Sequence, residues 1–385
     1  MPLMDALWDI RLITTNLLPS NIPHWQNQYI GCEVGNGRDL LRRKRSALVA
    51  SKYAEDNPKC LEDTMRFIYS VLGSAALLIF SMETAYAANC DRTCLMVLAD
   101  KYIAALVAHN PQNAPLGSGV RMVENAKRIR PGEGLWKTAS ASPTEFRIVV
   151  PDPLSQQVGG MVIMQSEGKP AQVGFRLKLA DGMIIEAEHL IAIPRGGELP
   201  ATLNKVRPAI PMEIPYEYAD SRGRLIHIAK SYYDALDLNN GSLAPFASDC
   251  DRHENGMRTA PSGGSLSGPD IPGAVQRPIG LSGMVDCKSQ IDMQTFEYIT
   301  EIATRRVEIA DEKTGLALGF SDFGHAMEKK QFRILNDPGR ETVERSYNPF
   351  DTLAMHIFKI WGGQIHEIEA IGVAAPYKSP SGWEE

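Results

Sequence analysis

The repeat that decides the fold reads LMVLADKYIAALVAHNPQNAPLGSGVRMVEN (residues 95–125) and, 130 residues later, LIHIAKSYYDALDLNNGSLAPFASDCDRHEN (residues 225–255). Eleven of the 31 aligned positions are identical without a gap, a register that chance would not keep. In both stretches apolar residues recur at three- and four-residue steps, the pattern of an amphipathic helix. The chain therefore contains two diverged copies of one small domain.

A sheet is predicted after each helix. Residues 177–188 align with residues 358–369, again without a gap. Asp181-Gly182 and Gly362-Gly363 divide these segments as two-residue hairpin turns, in which glycine supplies the positive φ of a tight connection. Each copy is therefore expected to be an α+β domain, a helix packed in a curled antiparallel sheet that ends in a long hairpin.

The segment before the repeats has the pattern of an export signal. Met65 is followed by Arg66, an apolar run and the small-x-small pattern Ala85-Tyr86-Ala87, so residues 65–87 are predicted to be a cleaved signal peptide. The run is short for a membrane span. Because a signal peptide lies near the true N-terminus, we expect residues 1–64 to be disordered or to lie upstream of a start at Met65. A long basic n-region is the alternative. The predicted location is periplasmic or extracellular.

The remainder of the chain divides into predicted domains. The first occupies residues 89–195, residues 196–215 form a linker, and the second occupies residues 216–385. The second domain carries a Gly-, Ser- and Pro-rich insertion at residues 256–287. That composition predicts a long surface loop, which is either a lid or an inert insertion.

Charge restricts the partners of this protein. Residues 1–87 contain nine basic and nine acidic side chains, so the part after the predicted cleavage keeps the net charge of −6. Such a surface repels phosphate backbones and anionic lipids. We therefore expect no nucleic-acid partner and, after signal cleavage, no membrane partner. Serine nucleophile elbows, phosphate-binding glycine loops and nucleotide fingerprints are missing from the sequence, which sets aside those hydrolases, kinases and dehydrogenases.

Four cysteines follow the predicted cleavage site, and three pairings are possible. We favour Cys250 with Cys287, because that bond would staple the insertion, and Cys90 with Cys94 at the start of the first helix. Free buried thiols are the alternative. A metal site is not expected, since no CxxC or HxxxH spacing accompanies the cysteines.

Short motifs carry a family resemblance: CDRTCL (90–95), AALVAHNP (104–111), VEN (123–125), GEGLW (132–136) and DCDRHENG (249–256). They resemble an uncharacterised family of fungal and bacterial secreted proteins with tandem nuclear-transport-factor-2-like domains. The helix-in-sheet plan also resembles that of SnoaL-like cyclases, ketosteroid isomerase and scytalone dehydratase. The resemblance implies two cone-shaped (cystatin-like) domains with deep apolar pockets, no cofactor, and proton transfer by a carboxylate or histidine.

Repeated carboxylates and unrepeated histidines are the candidates for that chemistry. Glu124 and Glu254 follow the helices at the expected pocket mouth, where a half-buried carboxylate suits general acid or base work. The alternative is that they pin the returning loop. His109, His253 and His325 are candidate proton shuttles, and their lack of counterparts indicates that the two pockets have diverged. Strand alternation would point His253 and Glu254 in opposite directions.

Four further carboxylates lie on the predicted hairpins: Glu186, Glu188, Glu367 and Glu369. They alternate along the strands, so each pair shares one face, and a simple two-residue hairpin would place Glu186 opposite Leu177. An acid and base pair in a pocket and an exposed convex face fit this pattern equally well.

The leading hypothesis is a secreted, cofactor-independent lyase or isomerase that acts on a hydrophobic or aromatic small molecule. A non-catalytic small-molecule binding protein is the first alternative. The second is a scaffold whose domains pack face to face, or form a homodimer, through the convex side of the sheet. Pocket polarity separates the first two, because a buried histidine or carboxylate that faces a cavity favours chemistry.

Overall fold

The computed structural model describes residues 89–261, 281, 283–337 and 342–384. The predicted signal peptide and the upstream residues 1–64 lie outside the described residues, as does most of the insertion. Among the described helices, none is both long and apolar enough to cross a membrane.

The first copy begins with helix α1 (Arg92–Val107), which starts after Asp91 because the Asp91 carboxylate accepts a hydrogen bond from the Cys94 amide at 2.8 Å. Its apolar stripe, which includes Leu95 and Tyr102, is fully buried. A short helix α2 covers Leu135–Thr138. The strands are β1 (Leu116–Glu124), β2 (Lys127–Ile129), β3 (Ala139–Ser140), β4 (Arg147–Asp152), β5 (Gln157–Ser166), β6 (Lys169–Ala180) and β7 (Met183–Ala192).

The second copy repeats this plan around helix α3 (Arg222–Asp237), and a short helix α4 covers Cys287–Asp292. Its main sheet contains β8 (Phe246–Glu254), β9 (Met257–Ala260), β10 (Glu301–Asp311), β11 (Leu316–His325), β14 (Phe350–Trp361) and β15 (Gln364–Pro376). A separate ribbon contains β12 (Gln331–Phe332) and β13 (Val343–Glu344).

Strand order is equivalent in the two main sheets. The first runs β2-β1-β7-β6-β5-β3, with β4 also paired to β5, and the second runs β10-β11-β14-β15-β8-β9. The sheets are mixed rather than purely antiparallel, because β1 lies parallel to β7 and β8 lies parallel to β15. No hairpin joins these strand pairs, so no tight turn fixes their relative direction. Each copy has the predicted nuclear-transport-factor-2-like cone architecture, with the helix held by a curled sheet.

Asn125 and Asn255, which are equivalent residues of the two copies, make the same hydrogen bonds. The Asn125 side chain accepts a hydrogen bond from the Ile191 amide at 2.8 Å and donates one to the Ile191 carbonyl at 3.2 Å. Asn255 makes the same pair with Gly372, at 2.9 and 3.0 Å. Both asparagines have positive φ, which this residue tolerates better than most. They clamp the chain as it leaves β1 and β8.

The two sheets pack on each other through the faces that point away from the helices. A shared apolar core joins Met161 and Leu190 of the first copy to Leu318 and Met355 of the second. The approach is close at Gly174, where a Cβ atom would lie 2.7 Å from the Met355 methyl. The tandem copies therefore cover each other's outer sheet faces within one chain.

The hairpin carboxylates Glu186, Glu188 and Glu369 are buried, so they do not lie on an exposed face, and Glu188 lines a small pocket between the two copies. Glu188 is held by Arg176 of its own copy at 3.1 Å and by Arg306 of the other copy at 2.6 Å. Glu369 is similarly buried, and its carboxylate lies 3.2 Å from Arg207 of the linker. Each Glu thus has a guanidinium partner that offsets part of its desolvation.

The expected register of these hairpins is wrong by one residue. The turns at Asp181-Gly182 and Gly362-Gly363 are present, but a β-bulge follows each. Glu186 therefore lies opposite Lys178 rather than Leu177, and Glu367 lies opposite Lys359. A bulge adds one residue to one strand, which shifts every pairing beyond it.

Both favoured disulfides are present. Cys90 is bonded to Cys94, and Cys250 is bonded to Cys287. The second bond ties β8 to α4 across the insertion, and both of its cysteines are buried in the core beneath α3.

Candidate functional site

A cavity of about 690 Å³ opens in the second copy. Residues of β11, β14, β15 and α3 form much of its walls. Linker residues such as Pro200 and Leu203 close one side, together with Gln172, Ile191 and Ala192 of the first copy. The volume is in the range that accommodates a drug-sized ligand. Most of the lining is apolar or aromatic, and includes Leu236, Phe296, Ile299, Phe323, Phe350 and Val373.

His325 is the most clearly defined polar group of this cavity. It ends β11 directly opposite Phe350, the first residue of β14, and the two rings stack at 4.2 Å. Its ring also stacks on Tyr298 at 5.6 Å. Burial lowers the pKa of His325 to about 4, so the imidazole is neutral at neutral pH. Its Nδ1 atom is buried and has no hydrogen-bond partner among the described residues.

His356 supplies a second imidazole from β14. It lies on the same strand face as Phe350, and the Tyr233 hydroxyl is 3.3 Å from its Nδ1 atom. Burial lowers its pKa to about 3. When Tyr233 donates to Nδ1, the ring proton lies on Nε2, which can then donate to an oxygen atom of a ligand.

Arg345 brings a positive charge to the same cavity. Its guanidinium lies 4.0 Å from the ring centroid of Tyr298, the ring that stacks on His325. Nε and Nη2 of Arg345 are buried without a hydrogen-bond partner in the part of the chain that the structure describes.

Glu254, a sequence candidate, also lines the cavity. Its carboxylate lies 3.0 Å from Nε of Arg252, which is completely buried and donates to Gln290 at 2.5 Å. Glu254 therefore enters the cavity wall as one half of an ion pair.

His253 does not reach this cavity. It points to the opposite face of β8, as strand alternation requires, and its Nε2 atom lies 3.1 Å from Asp251. The structure therefore brings Glu254 and His325 to one cavity and places His253 outside it.

The two candidates of the first copy, His109 and Glu124, lie in local contacts. His109 Nδ1 is 2.7 Å from the Trp136 carbonyl. Glu124 accepts a hydrogen bond from the Leu135 amide at 2.9 Å and lies 3.3 Å from His189. The hydrogen bond from the Leu135 amide to Glu124 is the loop-pinning contact that the sequence analysis gave as the alternative to catalysis.

The interior of the first cone is filled by side chains. Tyr102, Trp136 and His189 are almost completely buried, and Trp136 packs edge-on against Tyr102. The Tyr102 hydroxyl is 2.9 Å from His189 Nε2, which extends a hydrogen-bonded chain from Glu124. These contacts pair the polar groups of Glu124, His189 and Tyr102 with one another, whereas Trp136 Nε1 is buried without a hydrogen-bond partner among the described residues.

Sequence reasoning missed His356, Arg345 and His189. A signal existed for His356, because it precedes Phe358 by two residues on a repeated strand, and a period of two places both on the helix side. Arg345 lies outside every repeated segment and carried no signal.

No cluster of three or more His, Cys, Asp or Glu suited to a metal ion occurs within the described ranges.

One family model matches the second copy. A family described as "Domain of unknown function (DUF8021)" matches residues 218–372, which include most of the cavity lining. No curated protein matches the sequence significantly.

Three solved structures resemble part of the chain. PrhC from Penicillium brasilianum NBRC 6234 is 10% identical, covers 40% of this chain and 83% of its own, and has a TM-score of 0.22. IdmH from Streptomyces antibioticus, a candidate polyketide cyclase, is 14% identical over 38% of this chain and 91% of its own, with a TM-score of 0.23. A candidate SnoaL-like polyketide cyclase from Jannaschia sp. CCS1 is 10% identical over 40% and 89%, with a TM-score of 0.23.

Proposed function

We propose that the protein is a secreted lyase or isomerase that moves a proton on a hydrophobic or aromatic small molecule in the cavity of the second copy. The observation that carries this proposal is His325, whose imidazole lines an apolar cavity and is neutral at neutral pH because burial lowers its pKa to about 4. A neutral imidazole can accept a proton, which suits it to general-base work.

In the simplest reaction, the imidazole of His325 removes a proton from a carbon atom next to a carbonyl group. The electron pair of the broken C–H bond moves into the carbonyl, which becomes an enolate. His356 is suited to donate a hydrogen bond to that oxygen. The proton then returns to a different carbon atom, so substrate and product have the same composition and no electron acceptor is consumed. In a dehydratase the enolate would instead expel a hydroxide, which leaves as water after protonation.

The catalytic step can be tested without knowing the natural substrate. The full chain would be incubated in D₂O with a panel of aromatic and polycyclic ketones, and deuterium incorporation would be followed by NMR. We expect exchange with the native protein and a loss of about 100-fold or more in His325→Gln, the size typical of a removed general base. His227→Gln is the matched control, because His227 is exposed on α3 and does not line the cavity.

A negative result would be informative. Ketones that bind in the cavity without exchange, or exchange that persists in His325→Gln, would contradict the catalytic role and favour a non-catalytic binding protein.

Secretion is the second part of the proposal. It is supported by the predicted signal peptide at residues 65–87 and by the two disulfides, which persist in oxidising compartments. N-terminal sequencing of the protein recovered from culture medium should begin at Ala88. A protein that stays inside the cell with residues 1–64 attached would overturn this part.

A further inference from the structure

Arg345 has an uncommon environment for a cation. Only 7% of the residue is exposed, and its Nε and Nη2 atoms have no hydrogen-bond partner among the described residues. Taking a guanidinium out of water without a counter-ion is costly. Stacking on Tyr298 offsets only part of that cost.

The carboxylates near the cavity do not supply the counter-ion. Glu254 is bound to Arg252, and Glu198 lies at the exposed rim of the lining. Both cavity imidazoles are neutral at neutral pH, because burial lowers their pKa values to about 4 and about 3. Among the described residues, the inner wall therefore presents one positive charge, that of Arg345, without a carboxylate partner.

The chemistry of the guanidinium indicates what would neutralise this charge. Arg345 lines the cavity, and guanidinium groups bind carboxylates through charge-assisted hydrogen bonds. One carboxylate carries one negative charge, which balances the single cation. The other walls are apolar and aromatic, which suits a hydrophobic body rather than a second polar group.

We infer that the ligand of the second cone is a hydrophobic or aromatic carboxylic acid, whose carboxylate binds to the guanidinium of Arg345. This inference rests on the proposed function, because it names the substrate class for the same cavity. Arg345 would anchor the substrate through a group that does not react, and His325 would remain the group that moves the proton.

The test compares two probes of nearly equal shape, 2-naphthoate and 2-naphthamide, by isothermal titration calorimetry on the full chain. The carboxylate should bind the native protein about tenfold more tightly than the amide, as expected for a charge-assisted contact. Arg345→Met should abolish this preference. Arg345→Lys should keep part of it, since the charge remains and the fork is lost. Arg333→Met is the matched control, because Arg333 is exposed and lies outside the lining.

Unfolding of the ligand-free protein gives a second readout. If Arg345 serves a ligand, Arg345→Met should leave the free energy of unfolding unchanged or increase it, because an uncompensated buried charge is removed. A loss of stability together with an unchanged preference for the carboxylate would show a structural role and overturn the inference.

The failures of the two proposals are distinguishable. Equal affinity for naphthoate and naphthamide would overturn the carboxylate inference and leave the proton-transfer proposal in place. Failure of both probes to bind at about 1 mM would overturn the inference. Deuterium exchange that is independent of His325 would overturn the proposed function.

Discussion

Nη2 of Arg92 lies 2.8 Å from Oδ2 of Asp311, so the first residue of helix α1 is bound to the last residue of strand β10 in the other copy. The same contact occurs with the roles of the two copies exchanged. Arg222, the first residue of α3, lies 2.8 Å from Asp152, the last residue of β4. Equivalent residues of the two copies thus meet reciprocally, which is the mark of a two-fold related interface.

The reciprocal ion pairs predict matched effects of substitution. Asp152→Asn and Asp311→Asn should each lower the free energy of unfolding by about 2 kcal/mol, because a buried carboxylate loses its charge-assisted hydrogen bonds. Double-mutant cycles with Arg222→Met and Arg92→Met, measured by urea denaturation, should give similar coupling energies. Arg147→Met is the control, since the Arg147–Asp100 pair is exposed and should contribute less than about 1 kcal/mol. Coupling no larger than that of the control would contradict this account of the interface.

The two disulfides should contribute unequally to stability. The Cys250–Cys287 bond joins residues 37 apart, whereas Cys90 and Cys94 are 4 apart. If disulfides act by lowering the entropy of the unfolded chain, replacing Cys250 and Cys287 by Ala should lower the free energy of unfolding by about 4 kcal/mol. Replacing Cys90 and Cys94 by Ala should lower it by about 2 kcal/mol. Thermal unfolding of the two double variants would check the order. Equal costs would indicate that the insertion is already constrained in the unfolded chain.

Glu369 predicts a loss of stability in mild alkali. Burial raises its pKa to about 8, from 4.5, even though Arg207 opposes the shift. Between these values the folded state holds a proton that the unfolded state has lost. The contribution is therefore complete below about pH 4.5 and disappears as the pH rises through 8, with a slope of at most about 1.4 kcal/mol per pH unit.

Urea denaturation of Glu369→Gln between about pH 5 and 8 tests this sign. The variant should gain stability relative to the native protein as the pH rises. The exposed Glu145→Gln should follow the native curve at every pH. Parallel curves for native protein and Glu369→Gln would show that the interface does not hold a protonated carboxyl group.

His356 predicts the opposite trend in acid. Its folded pKa of about 3 is below the usual 6.5, so its contribution is complete above about pH 6.5 and is lost as the pH falls. His356→Phe places at this site the residue type of Phe175, its counterpart in the first copy. At neutral pH the variant should have a free energy of unfolding about 1 kcal/mol lower than that of the native protein, because the Tyr233 contact is lost. This difference should shrink as the pH falls toward about 4. An unchanged difference across this range, relative to His227→Gln, would contradict the buried neutral state.

Features encoded over short distances could be predicted from the sequence. The helices, the hairpin turns and the pairing of Cys250 with Cys287 each depend on a periodic pattern, a glycine or a loop that one bond would close. The opposite directions of His253 and Glu254 follow from strand alternation alone. These features need no knowledge of how the two copies meet.

Features created by packing between distant segments could not be predicted. The surroundings of Glu188 and Glu369 depend on a second sheet that covers the first, and their register depends on bulges that leave no distinct residue type. Arg345 is brought to the cavity from a segment with no repeat and no motif. The filling of one cone and the opening of the other follow from which side chains meet inside, such as Trp136 against Tyr102.

The face-to-face contact of the copies has a consequence for how this protein responds to dilution. Two separate subunits with such an interface would dissociate at low concentration, whereas here the linker holds the partner at a high and constant effective concentration. The temperature of unfolding should therefore not depend on how much protein is present. Because the two copies are always joined, the first copy can have a packed interior and stabilise the second. The second copy can then keep an open cavity, which a separate domain would have to stabilise by itself.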